Sequence, residues 1–377
     1  MRGPAVHPII IAAGGTGGHL FPAEALAAEL LRRGERIALM TDARSAAYDS
    51  AAFANAERFV LSGGGLSGRG LRRATRGAMA LMAGTMQARR HLALLMPSAV
   101  VGFGGYASFP PLAAARLMGA SRRPAIILHE QNAVLGRANR LMARAADLLA
   151  LSFEGTANVP AGTTSAVVGN PVRPALAALA GQPYPVPLEG GALRLLVTGG
   201  SQGARIFADI VPPAVAALPE SIRARLLVTQ QCRAEDLART ETAYREAGVV
   251  ANLAPFFPDI AGRLATAHLV VARAGASTVS ELECAGRPSI LVPLPSAIDD
   301  HQNANARALA EADAAWVYPQ PAFTPAALTE RLTALFSVPE RLVSAAAAAA
   351  ALARPQAARD LADQVLALAR RATMGLG

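Results

Sequence analysis

His19 closes the run Gly14-Gly15-Thr16-Gly17-Gly18-His19, where the apolar stretch His7 to Ala13 gives way to a helix pattern from Pro22 to about Arg33. Imidazole titrates near neutral pH, so a base that must take a proton there is most simply a histidine. The glycines let backbone approach a ligand, and the helix that follows offers the positive end of its dipole. A tight strand–helix turn would also use glycines, but it does not account for the titratable group. The spacing is not GxGxxG, which weakens a dinucleotide reading and disfavours a nicotinamide oxidoreductase. Glu130 is a second acid–base candidate. It lies in His129-Glu130-Gln131-Asn132, directly after the apolar stretch Ala125 to His129. A third cluster, Gly102 to Pro110, follows Ala99 to Phe103 and carries Gly104, Gly105, Tyr106 and Ser108. Three strand ends bearing glycine or polar clusters point to one ligand cleft.

The second half carries its own cluster. Arg273-Ala274-Gly275-Ala276-Ser277-Thr278-Val279-Ser280-Glu281-Leu282 follows the apolar stretch Leu269 to Ala272 and reads as a turn into a helix N-terminus. Ser277 and Thr278 can cap that helix, and its N–H groups can hold a diphosphate. Glu281, one turn on, can accept both hydroxyls of a ribose or serve as a helix-dipole partner. Asp299-Asp300-His301-Gln302-Asn303-Ala304-Asn305 brings amides suited to reading hydroxyls. No Asp-x-Asp pair occurs, so a bridged metal–diphosphate site is not signalled. Cys232 and Cys284 match no zinc spacing. All 36 basic residues are Arg, which excludes a Walker-A lysine and a Schiff-base lysine. No metal or cofactor is expected.

These clusters need strands and helices to hold them. Strand, glycine loop, helix, strand (Arg36 to Thr41) is the opening of a parallel α/β sheet. Leu148 to Ser152 adds a further strand. The pattern restarts at Leu193 to Thr198 with Gly199-Gly200-Ser201-Gln202-Gly203-Ala204, followed by strands at Arg225 to Thr229, Leu269 to Ala272 and Ser289 to Pro293. Two such openings in 377 residues predict an α/β chain of two Rossmann-like domains. The expected domains are 1–172, joined by a C-terminal helix over 355–377, and 173–354, with Pro171 to Gly191 as a linker. A 52% hydrophobic share against 17% charged excludes a disordered chain. The N-terminal apolar stretch runs into the glycine loop, so it reads as a first strand rather than a signal peptide. No run reaches the ~18 apolar residues of a spanning helix.

The net charge of +9 is local. No acidic residue lies between Glu57 and Glu130, a window that holds ten arginines. Within it Met79, Met82 and Met86 fall at helical spacing among Arg69, Arg72, Arg73, Arg76, Arg89 and Arg90. This fits either a solvated basic face over a Met-rich core stripe or an anionic membrane surface. Nucleic acid is disfavoured, because Phe103, Tyr106 and Phe109 cluster at a glycine turn rather than between the arginines.

Taken in order, GGTGGH, GFGGYASFP, HEQNAVLGRAN, GNPVR, GGSQGA, RAGASTVSEL and DDHQNANA resemble one family over nearly the whole chain. It is the MurG family of UDP-N-acetylglucosamine:N-acetylmuramyl-(pentapeptide) pyrophosphoryl-undecaprenol N-acetylglucosamine transferases. The resemblance implies the GT-B fold, two Rossmann-like domains facing a central cleft. It implies inverting, metal-independent transfer of GlcNAc from UDP-GlcNAc to the MurNAc C4 hydroxyl of lipid I. Carried over by motif, the donor contacts are Thr16, Gly17, Gly18, Asn132, Arg173, Ser201, Phe257 beside the uracil, Ala276 to Glu281, and His301 and Gln302. His19 is the candidate base and Glu130 the other. The acceptor diphosphate meets Gly14, Gly15, Gly104, Gly105, Tyr106 and Ser108. The basic window becomes the contact with the anionic inner leaflet, on the cytoplasmic face of the plasma membrane. The alternatives are another GT-B lipid glycosyltransferase of the diacylglycerol type, a UDP-GlcNAc 2-epimerase, or a non-catalytic sugar-nucleotide-binding subunit.

Overall fold

The computed structural model describes residues 7–15, 17–48, 50–63, 71–200 and 203–374. Thr16, Ser201 and Arg69 lie outside the described residues, as do the side chains of Arg72 and Arg73. The chain divides into two compact units, Met1–Arg173 with Gln356–Gly377, and Pro174–Pro355.

The first unit runs β1 (Ile9–Ala12), α1 (Gly17–Arg32), β2 (Ile37–Asp42), β3 (Glu57–Leu61), α2 (Leu71–Leu95) and β4 (Ala99–Gly102). It continues with α3 (Gly105–Arg116), β5 (Ala125–Glu130), α4 (Arg137–Met142), β6 (Leu148–Leu151) and β7 (Ser165–Val167). The strands pair in parallel in the order β3-β2-β1-β4-β5-β6-β7. β1 is apolar throughout because both its faces are covered. Ile9 and Ile11 enter one core layer and Ile10 the other, the period of two expected of a strand.

Helix α1 starts at Gly17, earlier than the pattern from Pro22 suggests, and carries Pro22 inside it. Proline already has a helical φ and forgoes one hydrogen bond there. His19 therefore sits on the first turn of the helix. Helix α2 lies close to the end of β3. A Cβ on Gly84 would stand 1.9 Å from the Ser62 carbonyl oxygen, so the approach requires a glycine.

The second unit runs α5 (Pro174–Ala177), β8 (Leu193–Thr198), α6 (Arg205–Ala216), α7 (Glu220–Arg223), β9 (Leu226–Gln231), α8 (Leu237–Glu246) and β10 (Val250–Ala254). Then come α9 (Ile260–Thr266), β11 (Leu269–Ala272), α10 (Ala276–Ala285), β12 (Ser289–Leu291), α11 (His301–Glu311), β13 (Ala315–Val317), α12 (Pro325–Phe336) and α13 (Pro339–Ala351). Its sheet is also parallel, in the order β10-β9-β8-β11-β12-β13. The stretch expected as a linker is partly built into this unit: it contains α5, and Leu176 and Leu179 are buried. The alanine run of α13 packs in, with Ala345, Ala346 and Ala349 buried.

Helix α14 (Ala357–Met374) belongs to the first unit. Leu361, Ala362, Val365 and Ala369 join the core layer that holds Leu26 and Leu30 of α1. Arg33 reaches Asp363 and the Arg359 carbonyl on the same helix.

Candidate active site

In each sheet the strand order reverses once, between β1 and β4 and between β8 and β11. Open α/β sheets bind ligands beyond the strand ends at that reversal. The loops that follow these four strands carry most of the residues singled out in the sequence.

In the first unit, the loop after β1 delivers His19 and the loop after β4 delivers Gly104 and Gly105. Both of these glycines have positive φ. The His19 ring lies along them: a Cβ on Gly105 would stand 3.3 Å from both Cδ2 and Nε2 of His19. Its Nδ1 is 3.1 Å from Gln131 Oε1. Gly104 is the N-cap of α3 and makes no side-chain hydrogen bond, so no capping side chain takes up the first N–H groups of that helix.

Two expected acceptor contacts are engaged within the protein. Ser108 is fully buried and donates to the Gly105 carbonyl, 3.1 Å. The Gly15 N–H donates to Ser45 Oγ, 2.7 Å. Tyr106, on the first turn of α3, is half-buried.

Glu130 is 2% exposed, and both its oxygens are engaged. Oε1 accepts from the Asn132 backbone and side-chain amides, both at 3.0 Å. Oε2 accepts from Gly136 N and Asn139 Nδ2, both at 2.9 Å. It organises the loop after β5, and through it Asn132. Arg173 closes the first unit with its guanidinium 4.8 Å from the Phe21 ring centroid.

In the second unit, Ala276 to Glu281 form the first part of α10, immediately after β11. Gly275 caps the helix with no side-chain bond. The Val279 N–H already bonds the Gly275 carbonyl, so the N–H groups on offer are those of Ala276, Ser277 and Thr278. Ser277 Oγ is buried and finds no hydrogen-bond partner among the described residues. Val279 and Ser280 are buried, whereas Glu281 is half-buried.

His301 Nδ1 is 2.6 Å from the Ile298 carbonyl, which puts its proton there and leaves Nε2 as an acceptor. Gln302 Oε1 accepts from Leu294 N at 3.0 Å, which leaves its NH2 group to donate. Phe257 is buried under Arg263, whose guanidinium is 3.9 Å from the ring centroid. The exposed ring of that loop is Phe256, at 60%.

The structure also brings in Gln231, which the sequence did not single out, and gives Asn305 and Arg273 of the quoted motifs supporting roles inside the fold. Gln231 holds the glycine loop after β8: its oxygen accepts from Thr198 Oγ1 and Gly199 N, and its nitrogen donates to the Gly200 and Pro255 carbonyls. Asn305, fully buried, donates to the Ala274 carbonyl and sets the turn before α10. Arg273 donates to the Val292 and Pro293 carbonyls and to Gln320. The available signal was an amide or guanidinium at the end of an apolar strand or in a loop motif.

Helix α2 shows which face is which. Leu81, Ala88 and Leu92 are buried, while Met79, Met82 and Met86 are exposed at 59, 65 and 49%. The methionines are therefore not a core stripe. Arg76, Arg89 and Arg90 are exposed with them. Among the described residues, no single helix is long and apolar enough to cross a membrane. No group of three or more His, Cys, Asp or Glu is placed among them to hold a metal ion.

Residues 9–150 match the Glycosyltransferase family 28 N-terminal domain, and residues 194–365 match its C-terminal domain. A Granulibacter bethesdensis protein is 57% identical, with 97% of this chain and 94% of its own length covered. One from Rhodospirillum centenum is 56% identical, with 96% and 94% covered. Both bear the name UDP-N-acetylglucosamine--N-acetylmuramyl-(pentapeptide) pyrophosphoryl-undecaprenol N-acetylglucosamine transferase. The crystal structure of Acinetobacter baumannii MurG is similar at TM-score 0.76 and 29% identity, covering 95% of this chain and 99% of that one. A UDP-GlcNAc 2-epimerase from Neisseria meningitidis reaches TM-score 0.63 at 12% identity, covering 96% and 100%, a likeness of fold alone. Identity above one half over nearly the full length goes well beyond shared architecture: the chain belongs to glycosyltransferase family 28 and, within it, to the family of UDP-N-acetylglucosamine--N-acetylmuramyl-(pentapeptide) pyrophosphoryl-undecaprenol N-acetylglucosamine transferases.

Proposed function

We infer that the chain transfers N-acetylglucosamine from UDP-GlcNAc to the C4 hydroxyl of the MurNAc residue of lipid I, giving lipid II and UDP. The observation that carries this reading is the 57% identity over nearly the full length to a relative named for that transfer. The acceptor oxygen forms its bond to the anomeric carbon of the sugar. The bond from that carbon to the diphosphate oxygen breaks, and its electron pair leaves with UDP. The hydroxyl proton goes to Nε2 of His19. One displacement inverts the anomeric centre.

The N–H groups and dipole of α10 stabilise the charge that develops on the leaving diphosphate, a route that needs no metal. Glu281 takes the ribose hydroxyls, and His301 and Gln302 present one acceptor and one donor to the sugar. The exposed Phe256 is the ring suited to lie against uracil, in place of Phe257. Asn132, Arg173, Gly17 and Gly18 complete the donor contacts. The uncapped start of α3, with Gly104 and Tyr106, receives the acceptor diphosphate. Glu130 shapes the loop after β5 and is a poor base, because four donors already hold its lone pairs. The exposed Met and Arg face of α2 holds the enzyme peripherally on the anionic cytoplasmic leaflet, where a lipid-linked acceptor is presented.

The test is transfer of labelled GlcNAc to a short-chain lipid I analogue with excess EDTA. Wild type forms product. His19→Ala keeps UDP binding and loses roughly 10²- to 10⁴-fold in kcat, the worth of a general base. UDP binding by the wild type without product would overturn the lipid I reading.

A further inference from the structure

One chain of polar contacts in the first unit is not used by the reaction above. Gln131 follows β5 and is 1% exposed. Its amide nitrogen is 3.2 Å from the His129 carbonyl and 3.0 Å from His129 Nδ1. Its oxygen is 3.1 Å from His19 Nδ1. A carbonyl can only accept, so the end of Gln131 that faces the His129 carbonyl must be the NH2 group. His129 Nε2 is 3.0 Å from the Gly169 carbonyl, which puts the proton of His129 on Nε2 and leaves Nδ1 to accept. Both constraints orient the Gln131 amide the same way, with its oxygen toward His19. Nδ1 of His19 must then carry a hydrogen, and the lone pair of the neutral ring lies on Nε2.

We propose that Gln131 is a positioning residue that locks His19 in the Nδ1–H tautomer, anchored by His129 and the Gly169 carbonyl, so that Nε2 is the atom that receives the acceptor proton. This rests on the reading of His19 as the base. The anchor stays neutral near pH 7, because burial pushes the His129 imidazole down to about 4. A charged His129 would donate from both nitrogens and lose the contact from Gln131.

The experiment is 15N NMR of the full chain with labelled histidine, with the His19 signals assigned by their loss in His19→Ala. The two-bond couplings of the wild type should report hydrogen on Nδ1 and none on Nε2. Gln131→Met fills the same space without the polar ends. It should give His19 a mixture of tautomers and lower kcat about ten- to a hundredfold, less than the loss of the whole base, with the KM for UDP-GlcNAc unchanged. Hydrogen on Nε2 in the wild type overturns the proposal even if the variants do not fold. So does a folded Gln131→Met with wild-type kcat. If His19→Ala is inactive while Gln131→Met is not, the base reading stands and this inference alone falls. If His19→Ala keeps its turnover, both fall.

Discussion

Of the two histidines in GGTGGH and HEQN, the sequence marked only His19 as chemistry, and their environments divide the work. His19 is half-buried at the mouth of a loop, whereas His129 is fully buried. The sequence HEQN presents Glu130 as the conspicuous group of its loop, and the structure turns it inward onto four amide donors. Burial also makes His129 a stability determinant. In the unfolded chain it takes up a proton near its ordinary 6.5, and in the fold only near 4. Between those values the unfolded state binds more protons, so stability falls as pH falls from 6.5 to 4. For the fully buried His129, a displacement of that size is worth about 3 kcal/mol. His268, also pushed down to about 4 by burial, adds a loss of the same sign in the second unit. Urea midpoints measured across this window should drop for the wild type and drop less for His129→Gln.

At the scale of elements, every interior strand was legible and every edge strand was not. β1, β2, β4, β5, β6, β8, β9, β11 and β12 read as apolar runs because helices cover both their faces. The missed strands are β3, β7, β10 and β13, the outermost of each sheet. They are short and partly exposed, and β3, β7 and β10 carry no continuous apolar signal, while the apolar β13 is only three residues long. Helix ends need partners of another kind. Arg287 is 1% exposed and donates to the Leu264 and Ala265 carbonyls of α9 and to the Ala285 and Gly286 carbonyls at the end of α10. Its guanidinium satisfies two helix C-termini at once. Arg287→Met should leave these buried acceptors unpaired and cost about 3–5 kcal/mol. The urea midpoint should fall with the m-value unchanged, and an unchanged midpoint would refute the role.

For the whole molecule, the charge distribution matters more than the total. The ten arginines of the acid-free window all belong to the first unit, and three of them flank exposed methionines on α2. Each arginine near an anionic surface is worth about 1 kcal/mol, so reversing Arg76, Arg89 and Arg90 to Glu should weaken vesicle binding by at least roughly a hundredfold. Cosedimentation with vesicles containing anionic lipid is the measurement, read also at rising salt, which should weaken binding. Turnover of a soluble acceptor analogue should be unaffected. Equal binding to zwitterionic vesicles would refute the electrostatic reading.

The sequence by itself determined the two parallel sheets, the loops at their strand ends and the placement of His19 at a helix start. Apolar runs and glycine turns are local signals, set by what each strand must bury. Tertiary structure decided what those signals leave open. It chose Phe256 over Phe257 for exposure, turned the methionines of α2 outward and gave Glu130 to its own loop. It also joined His19 to His129 through Gln131, 112 residues along the chain from His19. Such contacts depend on which strand lies beside which, and the order β1-β4-β5 that brings these groups together is a property of the folded sheet.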